Sequence, residues 1–251
     1  MDSLPPTYQE RRQGRRIAWV QAEHAEVIVG ALLAGAGCRP LESGGRGVMM
    51  CFSYPGGEGL IRPYRRGGVM QKVFRDAYVL ANRPRREFEI HRYLLDNGFR
   101  APKLLGICWE RNGVLVRGAI ATHRESAPNL LEALRSRPAN ADELLMQCGA
   151  LIRRMHELGV WHADLQVRNL LAGPEGPSLI DFDNAVRRPK LSPALRARNL
   201  LRLRRSFEKH GLDPDYFERL CAGYGASALP GWLNLAYRGK EWVSDWLAGR
   251  R

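Results

Sequence analysis

The amino-acid sequence predicts an α+β protein with two lobes: a small β-rich lobe that carries one main helix, followed by a larger and mostly helical lobe. Short apolar runs separated by glycine and proline turns fill the first part of the chain, a pattern typical of β-hairpins. Apolar side chains at helical spacing indicate an amphipathic helix at residues 86–95. The larger lobe is expected from about residue 124 to the end, and 251 residues are enough for two lobes.

The predicted boundaries assign residues 1–16 to a flexible basic arm, 17–122 to the amino-terminal lobe and 123–251 to the carboxy-terminal lobe. The arm is polar and rich in arginine, without the apolar segment of a signal peptide. The apolar runs at 17–20 and 27–29 each predict a short strand or helix at the start of the small lobe.

A β-hairpin is predicted next in the small lobe. The apolar run 48–52 follows a glycine-rich turn, and extended character resumes at 60–62 after a second glycine break. Because glycine lets backbone N–H groups approach phosphates closely, Gly45 and Gly47 are candidate contacts for a nucleotide.

A long helix is predicted in the large lobe. Asn140 and Glu143 have the spacing of a capping box, and apolar side chains from Leu144 to Met155 recur on one face. Gly159 marks the end of this helix, and the chain then turns directly into His162.

The strongest chemical signal lies at this turn. Residues 162–169 read H-x-D-x-x-x-x-N, and the tripeptide DFD follows at 181–183, after a short apolar run that predicts a strand. In phosphoryl transfer, an aspartate in this motif accepts the proton of the substrate hydroxyl, and the asparagine helps to hold Mg²⁺. A second aspartate at a strand end joins the metal to the nucleotide phosphates. Asp164 is therefore the predicted catalytic base, and Asn169 and Asp181 are the predicted catalytic metal ligands.

Two more residues are predicted to organise the nucleotide phosphates. In a kinase-type small lobe, one helix provides a glutamate that pairs with a cation on the preceding strand. Glu87 is the candidate glutamate, and Glu89 is the alternative. The strand lysine of protein kinases is missing, and Arg62 is its predicted substitute, although Arg65 or Lys72 could take the role. An arginine would bind phosphate through a fork rather than as a point charge.

The charge balance restricts the class of ligand. A formal net charge of +13 favours nucleic acid, anionic lipid or multiply phosphorylated molecules as partners. No zinc finger, basic zipper or aromatic RNA-binding signature is present, so a nucleic-acid partner is not expected. The five cysteines include no C-x-x-C pair and suggest neither a zinc site nor a disulfide framework, which fits a reducing cytosol.

The sequence resembles the lipopolysaccharide kinase family of the protein-kinase-like fold, and within it the members that act on 3-deoxy-D-manno-octulosonic acid (Kdo). The similarity covers about residues 40–210. It is most specific at I-R-P-Y-R-R-G-G and at DFD, because ordinary protein kinases have neither. The segments that carry it are Gly45-Arg46-Gly47, Leu60 to Gly68, Arg86-Glu87-Phe88, Ala101-Pro102-Lys103, His162 to Asn169, Leu179 to Asp183 and Arg198 to Leu203.

The resemblance implies an ATP-dependent kinase in which Asn169 and Asp181 hold Mg²⁺ and Asp164 takes the proton of a sugar hydroxyl. The implied acceptor is the 4-hydroxyl of a Kdo residue on a lipid A precursor, or another sugar of the lipopolysaccharide core. A lipid acceptor and a strongly positive surface also imply peripheral binding to the anionic cytoplasmic face of the inner membrane.

Departures from protein kinases bear on the acceptor. Gln166 stands two residues after the predicted base, where Ser/Thr protein kinases carry a lysine near the transferred phosphoryl group. Asp183 replaces the glycine of D-F-G, and no A-P-E segment follows. These differences point away from a peptide and towards a small-molecule or glycolipid hydroxyl.

Three alternatives remain open from the sequence. A heptose kinase of the same family would share the catalytic residues. A soluble phosphotransferase of the aminoglycoside or fructosamine type has a similar motif, but it needs an acidic pocket for a cationic acceptor, and this chain is cationic. A non-catalytic, kinase-shaped module for anionic lipid fits the missing strand lysine, although the intact Asp164, Asn169 and Asp181 argue against it.

Overall fold

A computed structural model of the protein describes residues 4–41, 48–64, 83–112 and 115–225. The chain divides into two units, the first made of residues 1–96 and 101–126 and the second of residues 97–100 and 127–251. The predicted lobe boundary at 122/123 falls shortly before the junction at 126/127. The short segment 97–100 belongs to the second unit, which the sequence did not indicate.

Seven strands and two α-helices are the main elements in the described part of the first unit. The strands are β1 (Tyr8–Gln13), β2 (Arg16–Gln21), β3 (Arg39–Leu41), β4 (Met49–Tyr54), β5 (Gly57–Pro63), β6 (Leu104–Asn112) and β7 (Leu115–His123). They make one antiparallel sheet in the order β1-β2-β6-β7-β5-β4-β3. The helices are α1 (Ala25–Val29), which continues as one π-helical turn, and α2 (Arg83–Asp96).

The prediction of a flexible arm at residues 1–16 is wrong for β1. This strand pairs with β2 in regular antiparallel register and forms the edge of the sheet. The Tyr8 hydroxyl donates a hydrogen bond to the Leu104 carbonyl at 2.9 Å, and its ring packs edge-on against Phe88 at 4.8 Å between centroids. An edge strand can be polar because one face and one row of backbone groups meet water. The polar composition of β1 therefore resembles that of a flexible tail, and for this reason the sequence predicted an arm.

The predicted hairpin and helix of the first unit are confirmed. β4 and β5 pair antiparallel with Met50 opposite Ile61, and Gly57 adopts a φ of 121° at the turn. α2 covers the predicted range 86–95, and Gly98, with a φ of 67°, follows its end. The glycines proposed to contact phosphates, Gly45 and Gly47, lie outside the described residues, as do the alternative cations Arg65 and Lys72.

The described part of the second unit is mainly helical, with α3 (Leu130–Arg135), α4 (Ala141–Glu157), α5 (Pro193–Lys209) and α6 (Pro214–Tyr224). Short strands pair as β8 (Val160–Trp161) with β11 (Val186–Arg187) and as β9 (Leu170–Gly173) with β10 (Gly176–Leu179). α4 packs so closely on α6 that a Cβ atom at Gly149 would overlap the Leu220 carbonyl oxygen.

The start of α4 is confirmed, but its predicted cap is wrong. The Asn140 side chain makes no capping hydrogen bond, since its backbone has a φ of −97° and a ψ of 23° rather than an extended conformation. The same N-x-x-E pattern forms a true capping box at α3, where the Asn129 side chain accepts from the Glu132 N–H at 3.1 Å. Across the parts of the chain that the structure describes, no helix has both the length and the apolar character to cross a bilayer.

Candidate active site

One face of α5 holds the loop that contains the H-x-D-x-x-x-x-N motif. The buried Asn199 side chain binds both backbone groups of His162: its Oδ1 accepts from the N–H at 3.1 Å, and its Nδ2 donates to the carbonyl at 2.7 Å. The Ser206 hydroxyl accepts from the Val167 N–H at 3.2 Å. Positions i and i+7 of a helix share a face, so α5 fixes this loop at two points.

A buried histidine strengthens the first of these points. His156 of α4 donates from Nε2 to Asn199 Oδ1 at 3.1 Å, and its Nδ1 accepts from the Tyr224 hydroxyl at 2.9 Å. Burial lowers the pKa of His156 to about 4, so the ring is neutral near pH 7 and can both donate and accept. Side chains from α4, α5 and α6 therefore form one hydrogen-bonded network that ends at the backbone of His162.

We expect Asn199→Leu to destabilise the second unit by about 2–3 kcal/mol, because it leaves buried N–H and carbonyl groups of His162 without their partner. For a protein of this size the melting temperature should fall by roughly 5–10 °C. Circular dichroism or differential scanning fluorimetry measures this shift. The control is Arg205→Gln, an exposed position of the same helix. A melting temperature for Asn199→Leu equal to that of the control would contradict the assigned role.

The His162 imidazole joins the loop to the DFD segment. Its Nδ1 accepts from the Asp164 N–H at 3.1 Å, and its Nε2 donates to the Ile180 carbonyl at 3.1 Å. Burial lowers the pKa of His162, and the neutral ring packs against Phe182 at 5.6 Å between centroids. His162 is thus a positioning residue that sets the backbone on either side of the site.

The Asp164 carboxylate is held at both oxygens. Oδ2 accepts from Gln166 Nε2 at 2.8 Å, and Oδ1 forms an ion pair with the Arg202 guanidinium of α5. Asn169 Nδ2 donates to the Asp164 carbonyl at 2.8 Å. The predicted base is therefore fixed in rotamer and remains partly exposed, with 40 % of its side chain accessible. A general base needs this combination of order and access to substrate.

The two predicted metal ligands lie on neighbouring segments. The Ile180 N–H donates to the Asn169 carbonyl at 2.9 Å, which sets Asp181 beside Asn169 in the fold. Asp181 adopts a left-handed backbone with a φ of 66°, a conformation that aspartate tolerates better than most residues. It follows β10 after one intervening residue, so the predicted place at a strand end is correct.

The donor set of this pair fits Mg²⁺. Because Asn169 Nδ2 is engaged with a carbonyl, the amide oxygen Oδ1 is the atom that can face a cation. Mg²⁺ is commonly bound by one or two carboxylates together with substrate phosphates and water. Within the described ranges no group of three His, Cys, Asp or Glu side chains could hold a metal by itself. Asn169 Oδ1 and the Asp181 carboxylate are the side-chain groups that would hold such an ion together with phosphate oxygens.

The cation and the glutamate predicted in the first unit form an ion pair. Arg62 Nη2 lies 2.6 Å and 2.8 Å from the two carboxylate oxygens of Glu87, which is only 3 % exposed. The Tyr64 hydroxyl donates to Glu87 Oε2 at 2.5 Å, and its ring lies 5.3 Å from the Arg62 guanidinium carbon. The alternative, Glu89, pairs instead with Arg85 at the surface. A nucleotide-binding role for Arg62 and Glu87 stays a prediction.

Sequence reasoning missed the residues of α5 that build the site. Asn199 and Arg202 were part of the segment that carried the family resemblance, but no role followed from their spacing. A signal was present in retrospect, because Asn199 and Ser206 recur at positions that are otherwise apolar on this helix face. Polar side chains on a buried face need partners, and here the partners are backbone groups of the loop that contains the H-x-D-x-x-x-x-N motif.

Comparison with known proteins places this arrangement in a family. Residues 36–224 match the lipopolysaccharide kinase (Kdo/WaaP) family. A 3-deoxy-D-manno-octulosonic acid kinase from Xylella fastidiosa (strain M23) is 36 % identical over 204 residues, covering 76 % of this chain and 80 % of that protein. The enzyme of the same name from Xanthomonas campestris pv. campestris (strain B100) is 37 % identical over 205 residues, with the same coverage.

A solved structure supports the fold independently. The chain described as WaaP in complex with acyl carrier protein aligns with a TM-score of 0.55 and 17 % identity, covering 89 % of both chains. The fold is therefore the α+β, protein-kinase-like fold predicted from the sequence. With most of its length matched, the chain belongs to the lipopolysaccharide kinase (Kdo/WaaP) family. Membership of a kinase family implies ATP as the phosphoryl donor.

Proposed function

We propose that this protein is an ATP-dependent kinase that phosphorylates the 4-hydroxyl of Kdo on a lipid A precursor. The observation that carries the proposal is the ordered Asp164 beside Asn169 and Asp181, in a chain whose relatives are named Kdo kinases. A carboxylate base next to two oxygen ligands suits phosphoryl transfer to an alcohol. The partial exposure of Asp164 leaves access for such an acceptor.

In the proposed reaction, Asp164 orients the sugar hydroxyl and takes its proton as the oxygen attacks the γ-phosphorus of ATP. The bond between that phosphorus and the β,γ-bridging oxygen breaks, and ADP leaves with the electron pair. Bound Mg²⁺ would neutralise charge on the phosphates, held by Asn169 Oδ1 and the Asp181 carboxylate. Gln166 keeps the base in position through its bond to Oδ2. Positioning and charge neutralisation supply most of the catalysis in this type of reaction.

The proposal extends to the first unit through the pair formed by Arg62 and Glu87. Arg62 would contact nucleotide phosphates through its fork of N–H donors, and Glu87 would hold the guanidinium in place. This arrangement replaces the strand lysine of protein kinases with an arginine. The ion pair between a strand cation and a helix glutamate supports the kinase proposal over a non-catalytic module.

The names of the relatives support the proposed acceptor, and the charge of the chain supports the proposed location. A net charge of +13 suits a phosphorylated glycolipid at an anionic surface. We therefore propose that the protein binds peripherally to the cytoplasmic face of the inner membrane, where a Kdo-bearing lipid A precursor would be its acceptor. A cationic aminoglycoside suits this charge poorly.

A panel of acceptors tests the proposal. Purified protein with Mg-ATP is offered a Kdo-bearing lipid A precursor, a heptosylated core and an aminoglycoside, and mass spectrometry follows each product. A gain of one phosphate on the Kdo lipid alone is the expected result. Phosphate on the heptosylated core alone would move the assignment to a heptose kinase. ATP binding without phosphate transfer or hydrolysis would favour a binding module.

A further inference from the structure

The base Asp164 is flanked by a cation that the sequence motif does not contain. In Ser/Thr protein kinases a lysine two residues after the base lies near the transferred phosphoryl group, and here that position is Gln166. Gln166 is uncharged, and its amide donates to Asp164 Oδ2 at 2.8 Å. It orients the base but cannot neutralise a phosphate.

Arg202 brings positive charge to the same place from a different part of the chain. Its guanidinium pairs with the other carboxylate oxygen, Asp164 Oδ1. Half of the Arg202 side chain is accessible to solvent, so the loop does not bury it. A guanidinium carries several N–H donors in a planar fork, more than one carboxylate oxygen can accept, and it stays charged at every relevant pH.

The position of Arg202 is determined by the helix that carries it. Asn199 precedes it by one turn of α5 and is hydrogen-bonded to the His162 backbone, and Ser206 follows it by one turn and binds the Val167 N–H. Both anchors are buried. The guanidinium is therefore presented to the base by a helix that is fixed to the loop on either side. A surface ion pair between flexible side chains would lack this preorganisation.

We propose that Arg202 is a catalytic residue that neutralises the transferred phosphoryl group, in the role that the lysine after the base has in protein kinases. This inference rests on the phosphotransferase activity proposed above. Charge in the transition state spreads over the equatorial oxygens of the phosphoryl group. The acceptor oxygen and the phosphoryl group must meet beside the base, and the preorganised Arg202 guanidinium lies next to the base. The guanidinium can therefore pair with Asp164 and with a phosphoryl oxygen at the same time.

The test uses the full chain and compares Arg202→Gln and Arg202→Lys with Arg204→Gln. Arg204 lies on the same helix and pairs with Glu208, so the control removes an equal charge elsewhere on the helix. Steady-state kinetics measure phosphate transfer to the Kdo lipid and hydrolysis of ATP without acceptor. We expect kcat to fall about 100-fold in Arg202→Gln, as for the loss of one transition-state donor, and less in Arg202→Lys. Arg204→Gln should stay within about 3-fold of the wild type.

A double variant separates action on the phosphoryl group from action through Asp164. If Arg202 contacts the phosphoryl group, Arg202→Gln should lower the residual rate of Asp164→Ala by at least a further 10-fold. If Arg202 only orients the base, the double variant will be no slower than Asp164→Ala, and the proposal is overturned. Equal kcat for Arg202→Gln and Arg204→Gln would also overturn it.

The two readouts distinguish this inference from the proposed function. Hydrolysis of ATP that depends on Arg202, without transfer to the Kdo lipid, would support the phosphoryl contact and reject the acceptor. Transfer to the Kdo lipid that does not depend on Arg202 would support the function and reject the contact. A wild-type chain with neither activity would reject both.

Discussion

Asp164→Asn is expected to lower kcat for phosphate transfer by about 1,000-fold, within the range known for the loss of a general base. The amide is nearly the same size as the carboxylate and can keep an oxygen towards Gln166, but it cannot take a proton. The affinity for ATP should change little, because the carboxylate acts on the acceptor hydroxyl. Transfer is followed with radiolabelled ATP, and nucleotide affinity by calorimetry.

A matched control removes an acidic group elsewhere in the second unit. Asp142 lies near the start of α4 and pairs with Arg219 at the surface, so Asp142→Asn changes the net charge equally. Its activity should remain within about 2-fold of the wild type, as for most surface substitutions. Activity of Asp164→Asn at the level of this control would remove Asp164 from the mechanism.

Arg62→Met is expected to destabilise the first unit by about 4 kcal/mol, because it removes the guanidinium that pairs with the buried Glu87 carboxylate. The methionine keeps much of the apolar stem, so the change isolates the loss of charge. A fall in melting temperature of roughly 10 °C should follow. Where the variant is still folded, the KM for ATP should rise about 10-fold, since one charge-assisted phosphate contact is lost.

The comparison for Arg62 comes from an exposed pair on α2. Arg92 and Asp96 form an i,i+4 pair at 2.5 Å, and such pairs contribute only about 0.3–0.5 kcal/mol. Arg92→Met should therefore leave the melting temperature and the KM for ATP almost unchanged. Arg62→Lys is a second variant for comparison, because its ammonium group keeps the charge but lacks the planar fork of N–H donors of a guanidinium. An unchanged KM for ATP in a folded Arg62→Met would reject the nucleotide role.

Elements governed by local sequence rules could be predicted. The hairpin of β4 and β5 has its glycine turn, α2 and α4 have helical periodicity, and Asp164, Asn169 and Asp181 follow a motif whose spacing carries chemistry. The pairing of Glu87 with Arg62 was also anticipated, because a kinase-type small lobe pairs a helix glutamate with a cation on the preceding strand. These features depend on residues close together in the chain or on a known pattern.

Features that depend on distant partners could not be predicted. β1 is polar, and only its pairing with β2 and the contact of Tyr8 with β6 turn it into a strand. Asn140 has the sequence of a cap but not the backbone angles for one. The roles of Asn199 and Arg202 depend on backbone and side-chain groups more than 30 residues earlier in the chain. Periodicity marks Asn199 and Ser206 as polar positions on a buried helix face, but it does not identify their partners, and only the fold shows that these partners are in the loop around Asp164.

The most direct test of the central claim is the mass of a Kdo-bearing lipid A precursor after incubation with Mg-ATP and either the wild-type protein or Asp164→Asn. We expect the wild type to add one phosphate to the lipid, and we expect NMR of the product to locate it at the 4-hydroxyl of Kdo. Asp164→Asn should form almost no product. No phosphate gain with the folded wild type, or equal gain with both proteins, would contradict the proposed function.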